Sequence, residues 1–159
     1  MKSQLPLIGI CNLMEDYAKR GVFRGFHREA VRRGIASFKL VWFRDRIFDL
    51  IVDTGKRTIC IPSVLPSVPD NIYRDFKAFV QSHHVDGLPD HRRIDRIKAQ
   101  LRCAKRRGHA SVAVVVKDGD YDYALRRLIH LMHETFVIFL HDGMYRDYLV
   151  KHLGADPDW

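Results

Sequence analysis

The stretch Phe38-Lys39-Leu40-Val41-Trp42-Phe43-Arg44-Asp45-Arg46-Ile47-Phe48-Asp49-Leu50-Ile51-Val52-Asp53-Thr54-Gly55-Lys56-Arg57-Thr58-Ile59-Cys60-Ile61 decides the fold class. Phe38, Leu40 and Trp42 alternate with Lys39 and Val41, which is the two-residue period of a strand with one face buried. Arg44-Asp45-Arg46 reads as a turn, and Ile47 to Val52 as a second strand. Asp53-Thr54-Gly55-Lys56 is a turn signal, and Thr58 to Ile61 is a third strand. Residues 36 to 62 therefore predict a three-stranded antiparallel meander.

Toward the N-terminus the period changes. Residues 22 to 33 place Phe23, Phe26 and Ala30 at helical spacing, with Gly34 as a helix-ending glycine. Residues 9 to 20 predict a preceding helix that ends at Gly21. Toward the C-terminus, the three prolines between Pro62 and Pro69 end the sheet segment. Ser67 and Asp70 then suggest a capped helix carrying Ile72, Phe76, Phe79 and Val80 and ending near His83. Residues 84 to 90 read as a loop. Residues 91 to 107 predict a basic helix, with Ile94, Ile97, Leu101 and Ala104 on a narrow apolar arc and Gly108 as its stop.

The last third of the chain holds a weak repeat. Val115-Val116-Lys117-Asp118-Gly119-Asp120-Tyr121 matches Phe139-Leu140-His141-Asp142-Gly143-Met144-Tyr145. Each copy reads as a strand running into Asp-Gly and then an amphipathic helix. The first helix would bury Tyr121, Ala124, Leu125, Leu128 and Met132, and the second Tyr145, Tyr148, Leu149 and Leu153. Strand, helix and strand make a β-α-β unit, which joins parallel strands. The expected fold is α+β, near α/β: a mixed sheet of about five strands flanked by helices. An antiparallel meander would join a C-terminal parallel β-α-β unit in one globular domain over residues 1–159.

Bulk properties narrow the function classes. A chain of 159 residues can bury a core without disulfide or metal. The longest apolar runs, Val112 to Val116 and Thr135 to Leu140, fall far short of the ~20 residues of a membrane span. The opening residues lack the long apolar core and small-residue cleavage site of a secretory signal. Three widely spaced cysteines, Cys11, Cys60 and Cys103, form no Cys-x-x-Cys pair. An odd number without such pairing points to a reducing compartment, hence a cytoplasmic location.

Net charge is +8, and residues 92 to 107 alone carry +7. A segment so basic suggests contact with a polyanion, nucleic acid first, in a non-enzymatic module. Arg92, Arg93, Arg96, Arg102, Arg106 and Arg107 would touch phosphate. Arg24, Arg28 and Arg32, spaced every fourth residue, would extend the face. Like charges at that spacing weaken an isolated helix, so helix stability does not favour them.

Other constellations are weaker. His130 and His133 stand one helical turn apart with Glu134 adjacent, but the order is His-x-x-His-Glu and matches no metalloprotease pattern, so no metal is expected. His83 and His84 read as ordinary helix-end residues, beside Asp86, Asp90 and His91. The acids Asp118, Asp120 and Asp122 resemble the start of a calcium loop, but Tyr123 and Ile129 occupy its glycine and glutamate positions, so helix capping explains them better. If the β-α-β unit forms, Asp118, Tyr121, Asp142 and Tyr145 would line a small-molecule site at the ends of parallel strands. This is the alternative function, either ligand-binding or enzymatic. Cys103 falls among cations that would favour its thiolate, but no base is assignable, so it reads as an inert cysteine. No nucleophile elbow, Walker loop or dinucleotide fingerprint is present. No catalytic residue and no cofactor is assigned. A third reading is a structural protein whose aromatic residues and C-terminal Trp159 build a homo-oligomer.

One family resemblance lies in the meander. Phe48-Asp49-Leu50-Ile51-Val52-Asp53, followed by Thr58-Ile59-Cys60-Ile61, resembles the core of the PD-(D/E)xK nucleases. In that family an Asp starts one strand and Glu-x-Lys lies on the next. Here those positions fall near Pro62 and Val64, so the resemblance implies at most a remnant that binds nucleic acid without cutting it.

Overall fold

The computed structural model describes residues 4–29, 31–84, 93–140 and 145–153. In chain order the elements are α1 (Gln4–Lys19), β1 (Gly25–Arg28), β2 (Ile35–Trp42), β3 (Arg46–Asp53), β4 (Thr58–Leu65) and α2 (Asp70–Gln81). A 3-10 turn (Ser82–His84) follows, then β5 (Ala99–Arg106), β6 (His109–Val116), α3 (Tyr121–Glu134), a π-helical turn (Thr135–Phe139) and α4 (Arg146–His152).

The six strands form one sheet in the order β1-β2-β3-β4-β6-β5, antiparallel at every pairing. The predicted meander is present as β2, β3 and β4. Alternation sends Phe38, Leu40, Phe48, Leu50, Ile59 and Ile61 to one fully buried face. Val112 and Val114 of β6 and Leu101 of β5 continue it. The helices cover this face. Ile10 and Met14 of α1, Phe76 and Val80 of α2, and Leu125, Leu128 and Met132 of α3 complete a single core. No residue on the other face is fully buried, and Ile47 there is 65% exposed. The fold is thus an open α+β sheet with helices on one side.

Three expectations are corrected. Residues 22 to 33 are not a helix. Gly21 and Gly34 both take positive φ, 77° and 78°, and bracket β1 and its turn. β1 pairs with β2, and Phe26 lies against Phe38 at 6.4 Å. The helical spacing of Phe23 and Phe26 was shared by a segment that has a sheet edge available to it.

The basic helix at 91 to 107 is also absent. Its second half is β5, where Ala99 and Leu101 turn to the core while Gln100, Arg102 and Arg106 take the other face. Ile97, counted in the apolar arc, is 80% exposed. Arg107 and Gly108 have φ of 52° and 81°, so Gly108 is the second residue of a tight hairpin turn rather than a helix stop. A two-residue turn fixes the β5–β6 register, Arg106 opposite His109.

The parallel β-α-β unit does not form either. The run from Thr135 to Phe139 stays helical, widened to a π turn, and Thr135 Oγ1 donates to the Leu131 carbonyl at 2.8 Å. The apolar run has helical neighbours to satisfy: Phe136 stacks on Phe43 at 4.3 Å and Phe139 on Phe76 at 5.6 Å. The sheet therefore has six antiparallel strands, not five in mixed directions. Asp142 and Gly143 lie outside the described residues.

Candidate functional site

The arginines of the basic segment gather on one sheet edge. β5 is an edge strand, and Arg102 and Arg106 both stand exposed on the open face of the sheet. Four residues of strand separate them by about 13 Å. Arg107 is exposed in the hairpin turn, Arg96 is exposed on the approach to β5, and Arg93 is half-buried. Among the described residues, no carboxylate lies within ion-pairing distance of Arg96, Arg102, Arg106 or Arg107. Beside Arg102 and Arg106 the floor is Ala104, Ser111 and Ala113, small side chains that keep the surface flat. Arg92 lies outside the described residues.

Arg24, Arg28 and Arg32 do not join this set. They lie in and around β1, at the opposite edge and five strand spacings away, about 24 Å. Arg24 pairs with Asp45. Arg28 Nη1 lies 3.7 Å from Cys11 Sγ, and the Arg32 backbone bridges Ile35.

The Asp-Gly turn after β6 is occupied by its own ion pairs. Lys98 Nζ donates to Asp120 at 2.8 Å and to Asp118 at 3.0 Å. The bond from Lys98 holds the Asp120 carboxyl below the usual range, and the backbone N–H of Asp120 does the same for Asp118. Asp120 also caps α3 by accepting from the Tyr123 N–H at 3.0 Å, which fulfils the capping expectation. A recess of about 530 Å³ is lined by Asp118, Tyr121, Arg57 and Lys117. Tyr145 is elsewhere: its hydroxyl donates to Asp75 of α2 at 2.8 Å. Tyr121 and Tyr145 are therefore not brought to one site, and the parallel-strand basis for the alternative site is gone.

The acids of the nuclease-like run are similarly engaged. Asp49 accepts from Lys39 at 2.8 Å, and Asp53 accepts from the Lys56 N–H at 3.0 Å. Cys103 faces the helices, and burial pushes its thiol up to about 12, which agrees with the reading of an inert cysteine and outweighs the cations nearby.

The histidines give the largest departure. His83 and His84, read as helix-end residues, are buried. His84 Nε2 accepts the Leu101 N–H at 3.0 Å, and burial lowers its pKa. His83 is 3% exposed; its Nδ1 meets the Phe79 carbonyl at 3.0 Å and its Nε2 meets Glu134 at 2.8 Å. A carbonyl only accepts, so Nδ1 carries a proton, and the short contact to Glu134 needs a second one between the groups. The other oxygen of Glu134, itself 4% exposed, lies 2.9 Å from His130 Nε2.

His130 in turn lines a cavity of about 620 Å³ between the end of α1, the β2–β3 turn and α3. Its wall includes Trp42, Phe43, Arg24, Arg126 and His133. Helical periodicity puts His130, His133 and Arg126 on one side of α3. It does not show that the β2–β3 turn folds over them, because that proximity is long-range. Among the described residues no cluster of three metal-ligating side chains exists, and no helix is long and apolar enough to cross a membrane. Comparison with protein-family models, curated proteins and solved structures finds no match.

Proposed function

We propose that this chain is a non-enzymatic module that binds nucleic acid through the β5–β6 hairpin. One observation carries the reading: Arg102 and Arg106 stand on the open face of an edge strand, with Arg107 in its turn, and no described carboxylate neutralises them. Cations held on a rigid strand lose little entropy on meeting phosphate. The small side chains of Ala104, Ser111 and Ala113 let a phosphate backbone approach the sheet closely. The binding surface is then one hairpin rather than two helices, and Arg24, Arg28 and Arg32 fall outside it.

The test is fluorescence anisotropy with labelled single-stranded RNA and DNA of about 20 nucleotides, spanning several phosphates, from roughly 50 to 300 mM salt. Affinity should fall steeply with salt. The Arg102→Ala/Arg106→Ala variant should bind at least about tenfold more weakly and show a shallower salt slope, by roughly 1.5. Arg28→Ala/Arg32→Ala should bind as the parent does. Affinity independent of salt, or untouched by the hairpin variant, overturns the reading.

A further inference from the structure

The cavity between α1, the β2–β3 turn and α3 has a composition unlike the rest of the surface. Its volume, about 620 Å³, lies within the range of small-molecule sites. Arg24, Arg44 and Arg126 line it with His130 and His133, and among the described residues Asp45 is the one acid on its wall. Asp45 pairs with Arg24, and Arg126 stands exposed on the opposite wall beside His133. The apolar share includes Tyr17, Trp42 and Phe43, of which Trp42 and Phe43 stack at 4.5 Å and 19°. Positive groups and flat apolar walls in one recess suit a ligand that is anionic at one end and planar at the other.

The wall is also braced from behind. Trp42 lies against Phe23 and Phe48, and Phe43 against Phe136. Phe43, Arg44 and Asp45 join Trp42 to its register partner Arg46, and positive φ at Arg44 and Asp45, 58° and 61°, closes this three-residue turn and sets the place of Phe43. Arg126 and Tyr17 share the wall of this cavity and of a smaller recess beside it. His130 is backed by Glu134, Glu134 by His83, and His83 by the Phe79 carbonyl. A carboxylate buried to this degree is expensive unless it is paired. Here its pairing sets the position of an imidazole on a cavity wall, which is how a protein fixes a polar contact for a ligand. A smaller recess of about 270 Å³ adjoins, sharing Tyr17, Arg126 and His130 and adding Arg127. The two together form a groove along α3.

We propose that this cavity binds a phosphate monoester carried on a planar ring, with Arg126, His133 and His130 meeting the phosphate and Trp42–Phe43 forming the wall for the ring. The assignment does not rest on the hairpin arginines, which lie at the far edge of the sheet. A free mononucleotide and the 5′ end of a nucleic-acid strand present the same group, and the test separates them.

Trp42 is the natural reporter. The chain has two tryptophans, so Trp159→Phe leaves Trp42 as the only one. Adenosine monophosphate, inorganic phosphate, adenosine and a 5′-phosphorylated trinucleotide are titrated into this variant. The monophosphate should change Trp42 emission with saturation below about 1 mM, and adenosine or phosphate alone should bind at least about tenfold more weakly. If only the 5′-phosphorylated trinucleotide saturates, the ligand is a strand end; if the mononucleotide does so equally, it is a free metabolite. Arg126→Met and His133→Gln should each weaken binding by about tenfold, while Lys56→Ala, in the exposed β3–β4 turn, leaves it unchanged. Amide chemical-shift mapping on the parent chain gives an answer even if a variant misfolds: shifts should cluster at Val22, Phe43, Arg126 and His133. No saturable change with any phosphorylated probe, or shifts confined to the β5–β6 hairpin, overturns the proposal.

Discussion

His84 shows what a single ring decides in this molecule. It closes one rung of the β5 edge by accepting the Leu101 N–H, and its Nδ1 faces the Gln81 carbonyl at 3.3 Å. Both bonds require the neutral imidazole with its proton on Nδ1. Burial lowers its pKa below the ordinary 6.5, with Arg96, His83 and Lys117 acting in the same direction. The unfolded chain therefore takes up this proton more readily than the folded one. The His84 contribution is complete above about pH 6.5 and is lost as pH falls through the depressed folded value. Chemical denaturation should show stability declining between about pH 7 and pH 5, and His84→Gln should flatten that slope while the pH 7 stability drops by about 1 kcal/mol. The depressed carboxyls of Asp118 and Asp120 work the same way lower on the scale: their ion pairs with Lys98 persist above the carboxylate range and are lost in acid. Arg46 is the opposite kind of residue. It faces the helices, lies over the Phe48 ring at 4.6 Å, and leaves Nη1 buried without a hydrogen-bond partner. Arg46→Met keeps the apolar stem and removes the unsatisfied cation, and should raise the melting temperature, corresponding to roughly 1 kcal/mol.

At the scale of the element, the β5–β6 hairpin turns on two residues. Arg107 and Gly108 both adopt positive φ, a conformation easy for glycine and costly for most other residues. Arg107→Asn should stabilise the chain by a few tenths to about 1 kcal/mol, because Asn-Gly is the preferred pair for this turn. The same change should lower nucleic-acid affinity by removing a hairpin cation, so stability and binding move in opposite directions. Gly108→Ala should cost about 1–2 kcal/mol in a denaturant melt. The hairpin also explains what could be read in advance. β2, β3 and β4 were legible because Phe38, Leu40 and Trp42 keep a two-residue period, β-branched residues fill β3 and the start of β4, and Asp53–Lys56 is polar turn chemistry. β5 was not, because Ile94, Ile97, Leu101 and Ala104 meet the helical spacing by coincidence, and Ala99 and Cys103, small beside Leu101, mark the strand period weakly. The run at Thr135–Phe139 misled in the reverse sense: a short apolar run of β-branched and aromatic residues reads equally as a strand or a buried helix. Phe43 and Phe76 settle it, and no local signal announces them.

At the scale of the whole molecule, the sequence located the charge correctly and its geometry incorrectly. Of the basic segment, Arg102 and Arg106 fall on a strand, Arg107 in its turn and Arg93 and Arg96 before it, and the second group, Arg24 to Arg32, falls at the far edge. The cavity was half legible: Arg126, His130 and His133 share a helix face by simple periodicity, whereas Trp42, Phe43 and Arg24 arrive through sheet pairing. Glu134 carried no signal at all, since a helical glutamate beside two histidines is ordinarily solvated.

The edge positions of the arginines have one more consequence. An open sheet ends in two strands whose outer backbone groups invite a further strand from another copy of the chain. Here β1 offers only four residues, with Arg28 at its end and Arg24 just before it, and β5 carries Arg102 and Arg106. Any two copies that meet edge to edge bring arginine against arginine, whichever edges they use. Self-templated growth into fibrils is thus opposed at both ends by repulsion of one sign, and an anionic ligand that neutralises the arginines of one edge also removes that edge's guard against it.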